Sequence, residues 1–274
     1  PLRRQRQMCI RDSLRSAGLN LRIVKTIPED NFIPSMDELT KNAKGAKTLL
    51  INSPNNPTGT VYDQATLLEI SKVAIDNDLW VISDEVYDTQ IWVGKHISIR
   101  SLPNMENRTT VIGSMSKSHA MTGSRLGWVV APEYVVEKLS DLACNTNYGV
   151  PGSIQDAGLN ALTQMPDIEN NVAEPFNRRR KIAQKIVKEY PDIKVHPSLG
   201  GMYLMIDIRA TGLNGVEFSK ALLNSRSIAV MPGESFGNSS AGHIRVAMTI
   251  SDDKFEYATR SICSFASSFT TSTN

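Results

Sequence analysis

The chain has 274 residues, 41% hydrophobic and 21% charged, with a formal net charge of +2. That is ample for a buried core, and the length fits one large or two modest domains. The basic residues are scattered apart from Arg178-Arg179-Arg180-Lys181, which argues against nucleic acid as the main partner, and no apolar run is long enough to span a membrane.

Residues 1–13 (PLRRQRQMCIRDS) hold four arginines and little apolar content, and they read as a non-native leader. Leu14 to Gly18 reads as a helix end with a glycine stop, and Leu21 to Val24 as a strand. Pro28 to Pro34 is a loop, and Ser35 is placed to cap a short helix. Thr48 to Asn52 is a short apolar run that halts at Ser53-Pro54, as a buried parallel strand would. Asp63 to Asp76 carries Leu67, Ile70 and Ala74 on one helix face. Leu79 to Ser83, Thr110 to Ser114 and Leu126 to Val130 are further strands, with an exposed loop between the last two. Strands that alternate with helices predict an α/β fold: a mostly parallel, mixed central sheet with helices on both faces.

The pattern changes near Asn171. Phe176, Ile182, Ile186 and Tyr190 form the apolar stripe of a long basic helix. Short strands follow at 201–206, 228–231 and 243–247, with a helix marked by Phe218 and Leu222. Ser251-Asp-Asp opens a last helix with Phe255, Ala258, Ile262 and Phe265 inward, and the Ser/Thr-rich tail from Ala266 is expected to fray. The domains expected are 14–170, a partial large domain, and 171–274, a smaller C-terminal α/β domain.

The polar motifs fall just past strands, where open α/β sheets bind ligands. Ser114-Met-Ser-Lys117 offers an amine flanked by hydroxyls, and Arg125 follows eight residues later. An amine so placed reaches a carbonyl-bearing cofactor, and the hydroxyls and guanidinium suit a dianionic phosphate. We read Lys117 as the lysine that forms a Schiff base with pyridoxal 5'-phosphate, with Ser114, Ser116 and Arg125 on the phosphate. Asp84 offers a carboxylate for the ring nitrogen, which an opposite charge keeps protonated. Tyr87 and Asn56 offer donors to the ring oxygen, and Arg245 a planar guanidinium for a substrate carboxylate. His119 lies beside the lysine with no partner in sequence, and His96, His196 and His243 read as surface or loop residues. Met202 and Met205 read as core filler. No metal is expected. Cys9, Cys144 and Cys263 have neither zinc nor disulfide spacing, so a reducing cytoplasm is the expected compartment.

Ser53-Pro-Asn-Asn-Pro-Thr-Gly59, Asp84-Glu-Val-Tyr87, Ser114-Met-Ser-Lys117 with Arg125-Leu-Gly-Trp128, and Ile244-Arg-Val246 stand in the order and rough spacing of the class I/II aminotransferases. The chain resembles these pyridoxal-phosphate enzymes of fold type I, which include aspartate aminotransferase, from about Leu14 to Phe265. The resemblance implies Lys117, Asp84 and Tyr87 as catalytic residues. It gives Asn56, Asp84, Tyr87, Ser114, Ser116, Lys117 and Arg125 to the cofactor, and Asn56 and Arg245 to the substrate. It implies transamination between an amino acid and a 2-oxo acid, with a weak lean to aspartate-, aromatic- or arginine-type substrates. Tyr148 and Ser153-Ile-Gln155 match a stretch that approaches the neighbouring subunit's site, so a homodimer is implied. The family's N-terminal arm, first helix, glycine loop and ring-stacking aromatic would precede Leu14, which makes this chain the expected C-terminal majority of an enzyme. A lyase acting at the β-carbon of sulfur amino acids, a non-catalytic domain of a regulator and an inert fragment are the alternatives.

Overall fold

The computed structural model describes residues 9–270. Residues 1–8 of the expected leader lie outside them, as do 271–274 of the tail. Helix α1 (Cys9–Ser16) contains the rest of the leader and ends at Gly18, whose positive φ accepts the turn. Helix α2 (Met36–Ala43) follows, then strand β1 (Thr48–Asn52), helix α3 (Gln64–Asp76) and strand β2 (Trp80–Asp84). Strand β3 (Thr109–Ser114), the one-turn helix α4 (Met115–Ser118) and strand β4 (Gly127–Val130) complete the first sheet. Helices α5 (Glu133–Thr146), α6 (Gly152–Gln164) and α7 (Ile168–Val187) lead to the second sheet. That region holds β5 (Lys194–Val195), β6 (Tyr203–Asp207), α8 (Gly215–Arg226), β7 (Met231–Pro232), β8 (His243–Ala247) and α9 (Asp252–Thr270).

In the first sheet β1, β2 and β3 are parallel and β4 runs antiparallel to β3. The crossover helix α3 starts at Asp63, whose carboxylate accepts the Thr66 amide at 2.8 Å. Its inward residues Leu67, Ile70 and Ala74 pack with Val81 of β2 and Leu39 of α2. Trp80, on the opposite face by strand alternation, meets Tyr134 of α5 edge to face. The Trp128 ring of β4 lies on Gly113 of β3, where any Cβ would collide with the indole. Trp128, Val129 and Val130 nonetheless stay about two-fifths exposed, and α5 and α6 expose Tyr134, Leu142, Leu159 and Leu162.

The second sheet is antiparallel in the order β5-β6-β8-β7. Its core joins Ile186 of α7, Phe218 and Leu222 of α8, and Phe255, Ile262 and Phe265 of α9 to Leu204, Ile206, Ile244 and Val246. The 55–60 turn binds the segment before β6 across a seam between the sheets. Gly59 accepts both the Leu199 and Gly200 amides, at 2.8 and 3.0 Å. Its φ of +72° and the Gly200 carbonyl, 2.9 Å from where a Cβ would sit, require glycine there.

Several expected elements differ. Leu21 to Val24 is irregular: Val24 packs on the first core, but Ile23 is exposed and Arg22 turns its guanidinium to the Asn42 and Lys44 carbonyls. Ser35 holds the N-cap position without a side-chain bond. Of 228–231 only Met231 pairs, together with Pro232. The Ser/Thr-rich tail is helical to Thr270, because Ala266 is buried beside Phe265 and Phe269 packs on the Phe265 ring. Ala258 is half-buried, and Thr259 takes the inward position. No helix among the described residues is long and apolar enough to cross a membrane. Phe255→Ala, in the second core, is expected to cost about 3–5 kcal/mol in denaturant unfolding.

Candidate active site

Strands β1 and β2 end level, and β3 runs two residues past them to Ser114. Asn52, Asp84 and Ile112 are register partners, so the segments leaving β1, β2 and β3 emerge side by side. Asn52 ties the first two together: its Nδ2 donates to the Asp84 carbonyl at 3.0 Å, and its Oδ1 accepts the Asn56 amide at 3.0 Å. Asn56 is thereby fixed beside Asp84. From the second sheet Arg245 reaches over and donates to Asn56 Oδ1 at 2.9 Å, a contact across 189 positions of sequence. Its guanidinium is sandwiched between the Tyr203 ring at 4.0 Å and the Phe236 ring at 4.7 Å. Arg245 Nε is buried without a partner, and no acid pairs with this arginine among the described residues. A partly buried guanidinium with donors to spare is suited to a small carboxylate.

Asp84 is half-buried and its carboxyl is held above the ordinary range, chiefly by desolvation. The Val86 amide donates to it at 3.3 Å, and no cation of this chain pairs with it among the described residues. Tyr87 is buried, and its phenol is pushed far up by burial and then by the neighbouring Tyr203. It therefore stays a neutral donor. The two rings meet edge to face at 6.4 Å. Tyr203 joins the site without having been expected there.

Lys117 sits half-buried in α4, where an exposed loop was expected. Ser114 caps that turn: its Oγ accepts the Ser116 amide at 3.1 Å. Ser116 is half-buried, and its carbonyl takes the Thr122 hydroxyl at 2.9 Å. Arg125 is exposed at φ +56° and donates to the Thr122 carbonyl at 3.1 Å, one residue-to-residue step from Ser116. The cluster thus holds Asn56, Asp84, Tyr87 and Arg245 in one network, with the Ser114–Arg125 segment beside it at the end of β3. Tyr148 stands apart, 91% exposed, and Ser153–Gln155 lie in the first turn of α6 rather than in a turn.

His96 and His196 lie in loops as expected and are half-buried, whereas His243 is buried in β8. Glu85, buried directly after Asp84, accepts Ser83 and Ser98 hydroxyls at 2.8 and 2.9 Å and His96 Nε2 at 2.8 Å. This network anchors the chain on both sides of the Asp84–Tyr87 turn. His119 is buried, with Nδ1 on the Ser118 hydroxyl at 2.7 Å and Nε2 3.9 Å from Glu169. His243 is fully buried and meets His196 at 3.0 Å, and burial lowers His196 to about 4. None of these partners is near in sequence except Ser118, so sequence held no signal for the rest. Met205 is buried as core, and Met202 is half-buried.

A carboxylate buried without a cation lowers stability at neutral pH. Its raised folded pKa makes its contribution fullest below the ordinary value of 3.8 and lost as pH rises through the folded value. In the cofactor-free chain, Asp84→Asn is therefore expected to raise the thermal midpoint at neutral pH, with the gain vanishing under acid conditions. Thermal unfolding across pH checks this.

Residues 9–262 match the family described as aminotransferase class I and II. Arginine–pyruvate transaminase AruH of Pseudomonas aeruginosa is 40% identical over 79% of this chain and 55% of its own length. Aspartate aminotransferase of Pyrococcus abyssi is 38% identical over 86% of this chain and 61% of its own. The solved aromatic aminotransferase of Pyrococcus horikoshii superposes with a TM-score of 0.85 at 34% identity, over 89% of this chain and 66% of that one. The chain thus spans a little over half the length of the curated relatives it matches. With the matched span covering nearly the whole chain and the same α/β architecture in the solved relative, this chain belongs to the class I and II aminotransferases.

Proposed function

We propose that the full protein transfers an amino group between an α-amino acid and a 2-oxo acid, using pyridoxal 5'-phosphate. The observation that carries this is, among the described residues, a half-buried carboxylate without a cation, Asp84, near a guanidinium without an acid, Arg245, their segments linked through Asn52 and Asn56. One awaits a cation and the other an anion. A protonated ring nitrogen and an α-carboxylate answer these needs, so the residues fit the cofactor and its substrate.

The bound cofactor supplies an aldehyde for the substrate amine and a ring that draws electrons from the α-carbon. In this proposal the Asp84 carboxylate holds the proton on the ring nitrogen. Tyr87 donates its phenolic proton to the ring oxygen. Asn56, with its oxygen on Arg245, presents Nδ2 as the second donor. Lys117 Nζ would hold the aldehyde and would move the α-proton. Ser114, Ser116 and Arg125 would hold the phosphate, the Arg125 guanidinium having donors beyond the one on the Thr122 carbonyl. Arg245 grips the substrate carboxylate, a group common to the arginine, aspartate and aromatic amino acids in the relatives' names.

We extend the proposal to a homodimer, supported by the projecting Tyr148 and the exposed apolar residues of α5 and α6. It includes a division into 14–170 and 171–274, supported by the two separate sheets and cores. It also includes a cytoplasmic setting, supported by Cys144 and Cys263 being free thiols.

Borohydride reduction of the full-length protein with its cofactor, followed by mass spectrometry, is expected to find the modification on Lys117; another lysine would end the assignment. A keto acid matched by glutamate or alanine marks transamination, whereas pyruvate with ammonia and thiol marks the lyase instead. Asp84→Ala is expected to keep cofactor but lose about a hundredfold in turnover, the equivalent of one charge-assisted contact. Arg245→Lys is expected to raise KM for both substrates by about ten- to a hundredfold, with kcat less affected.

A further inference from the structure

Gln90 is fully buried, three residues past Tyr87. Three contacts meet on it. Its backbone N–H donates to the Tyr87 carbonyl at 2.9 Å, and its side-chain Nε2 donates to the Lys117 carbonyl at 3.1 Å. Its own carbonyl takes the Gly201 amide at 2.8 Å, in the segment that leads into Tyr203. Ile91, next in line, bridges to Gly200. One residue thereby ties the phenol strand-end, the lysine turn and the entry to β6, the strand that pairs Met205 with Arg245.

The bond to Lys117 matters most. A one-turn helix cannot satisfy its last carbonyls from within. Met115 O takes the His119 amide, and Ser114 O and Ser116 O take the Ser118 and Thr122 hydroxyls. The donor to Lys117 O is Gln90 Nε2. An apolar side chain at 90 would strand that carbonyl in a half-buried place, which costs about 1–3 kcal/mol and frees the turn to rotate. Gln90 Oε1 is buried without a partner, so the side chain is not held there by its own oxygen. Its hydrogen-bonding purpose is the donation to Lys117.

We propose that Gln90 is the positioning residue of Lys117: it fixes the backbone that aims Nζ, and couples that aim to the Arg245-bearing sheet through Gly201. This rests on the reading of Lys117 as the cofactor-binding amine.

The test uses full-length protein mixed with pyridoxal phosphate. Aliquots are quenched with borohydride over time, and the Lys117 peptide is quantified. Two variants are compared with the parent. Gln90→Met keeps volume and apolar packing but has no donor; trapping at Lys117 is expected to slow by about tenfold or more, while the thermal midpoint shows the fold retained. Gln90→Glu donates only when its buried carboxyl is protonated. Its deficit relative to the parent is therefore expected to shrink as pH falls, a profile that loss of packing alone would not produce. Trapping in both folded variants within about twofold of the parent at every pH would overturn the proposal. If neither variant folds, the crystal structure of the trapped parent decides: a Gln90 amide still bonded to the Lys117 carbonyl supports it, and a broken bond overturns it. Failure of the parent to trap at Lys117 is a separate result. It removes the functional reading first, and the role of Gln90 with it.

Discussion

The candidate site depends on the parallel pairing of β1, β2 and β3, which sets the ends of β1 and β2 beside Ile112 of β3. Parallel pairing forces the chain to leave each strand at the same edge, and the connections return on the far side of a crossover. Asn52, Asp84 and the β3 residue Ile112 are in register, so the turns carrying Asn56, Tyr87 and Lys117 are neighbours by construction. A shift of one residue in that pairing would send Asp84 to the opposite face of the sheet. The Asn52 amide and the Glu85 network hold both sides of the carboxylate against such a shift.

The electrostatics of the site are unbalanced within the chain. Among the described residues Asp84 has no cation and Arg245 no anion, although each is half-buried. Burial makes both states costly. It raises the carboxyl's pKa and lowers that of the guanidinium, by the same desolvation. The two do not pair with each other; Arg245 donates to the Asn56 side-chain oxygen instead. Such a separation stores two unmet charges a short way apart, which is the arrangement a zwitterionic ligand with a cationic ring would discharge. The aromatic faces of Tyr203 and Phe236 keep Arg245 flat without neutralising it.

The second sheet contributes its part through a narrow seam. Gly59 holds the Leu199 and Gly200 amides, and Trp92 donates to Gly201 through its indole at 3.0 Å. Arg180, buried in α7, donates to the Ser198 carbonyl at 2.6 Å and braces the same segment from behind. Backbone bonds of this kind fix position without consuming side chains. They set Tyr203 and Arg245 of the second sheet against Asn56 and Tyr87 of the first, where Arg245 donates to Asn56 and Tyr203 meets the Tyr87 ring.

Much of this was written in local sequence. Short apolar runs ending at Ser53-Pro54, Asp84 and Ser114 mark the parallel strands, although β1 buries only Ile51 and leaves Leu50 exposed. Leu67, Ile70 and Ala74 mark the face of α3 by period alone. The motif order named the family. What the sequence could not supply was partnership between distant residues. The pairing of Arg245 with Asn56, of His96 with Glu85 and of His243 with His196 depends on chain path, and no local rule encodes it. Leu21–Val24 had the composition of a strand and found no ladder to join, while the Ser/Thr-rich tail became helix because Ala266 and Phe269 met a core built elsewhere. Local patterns determine which residues prefer to be buried or extended; only the folded chain decides what they are buried against, and hydrogen bonds and ion pairs are made with that neighbour.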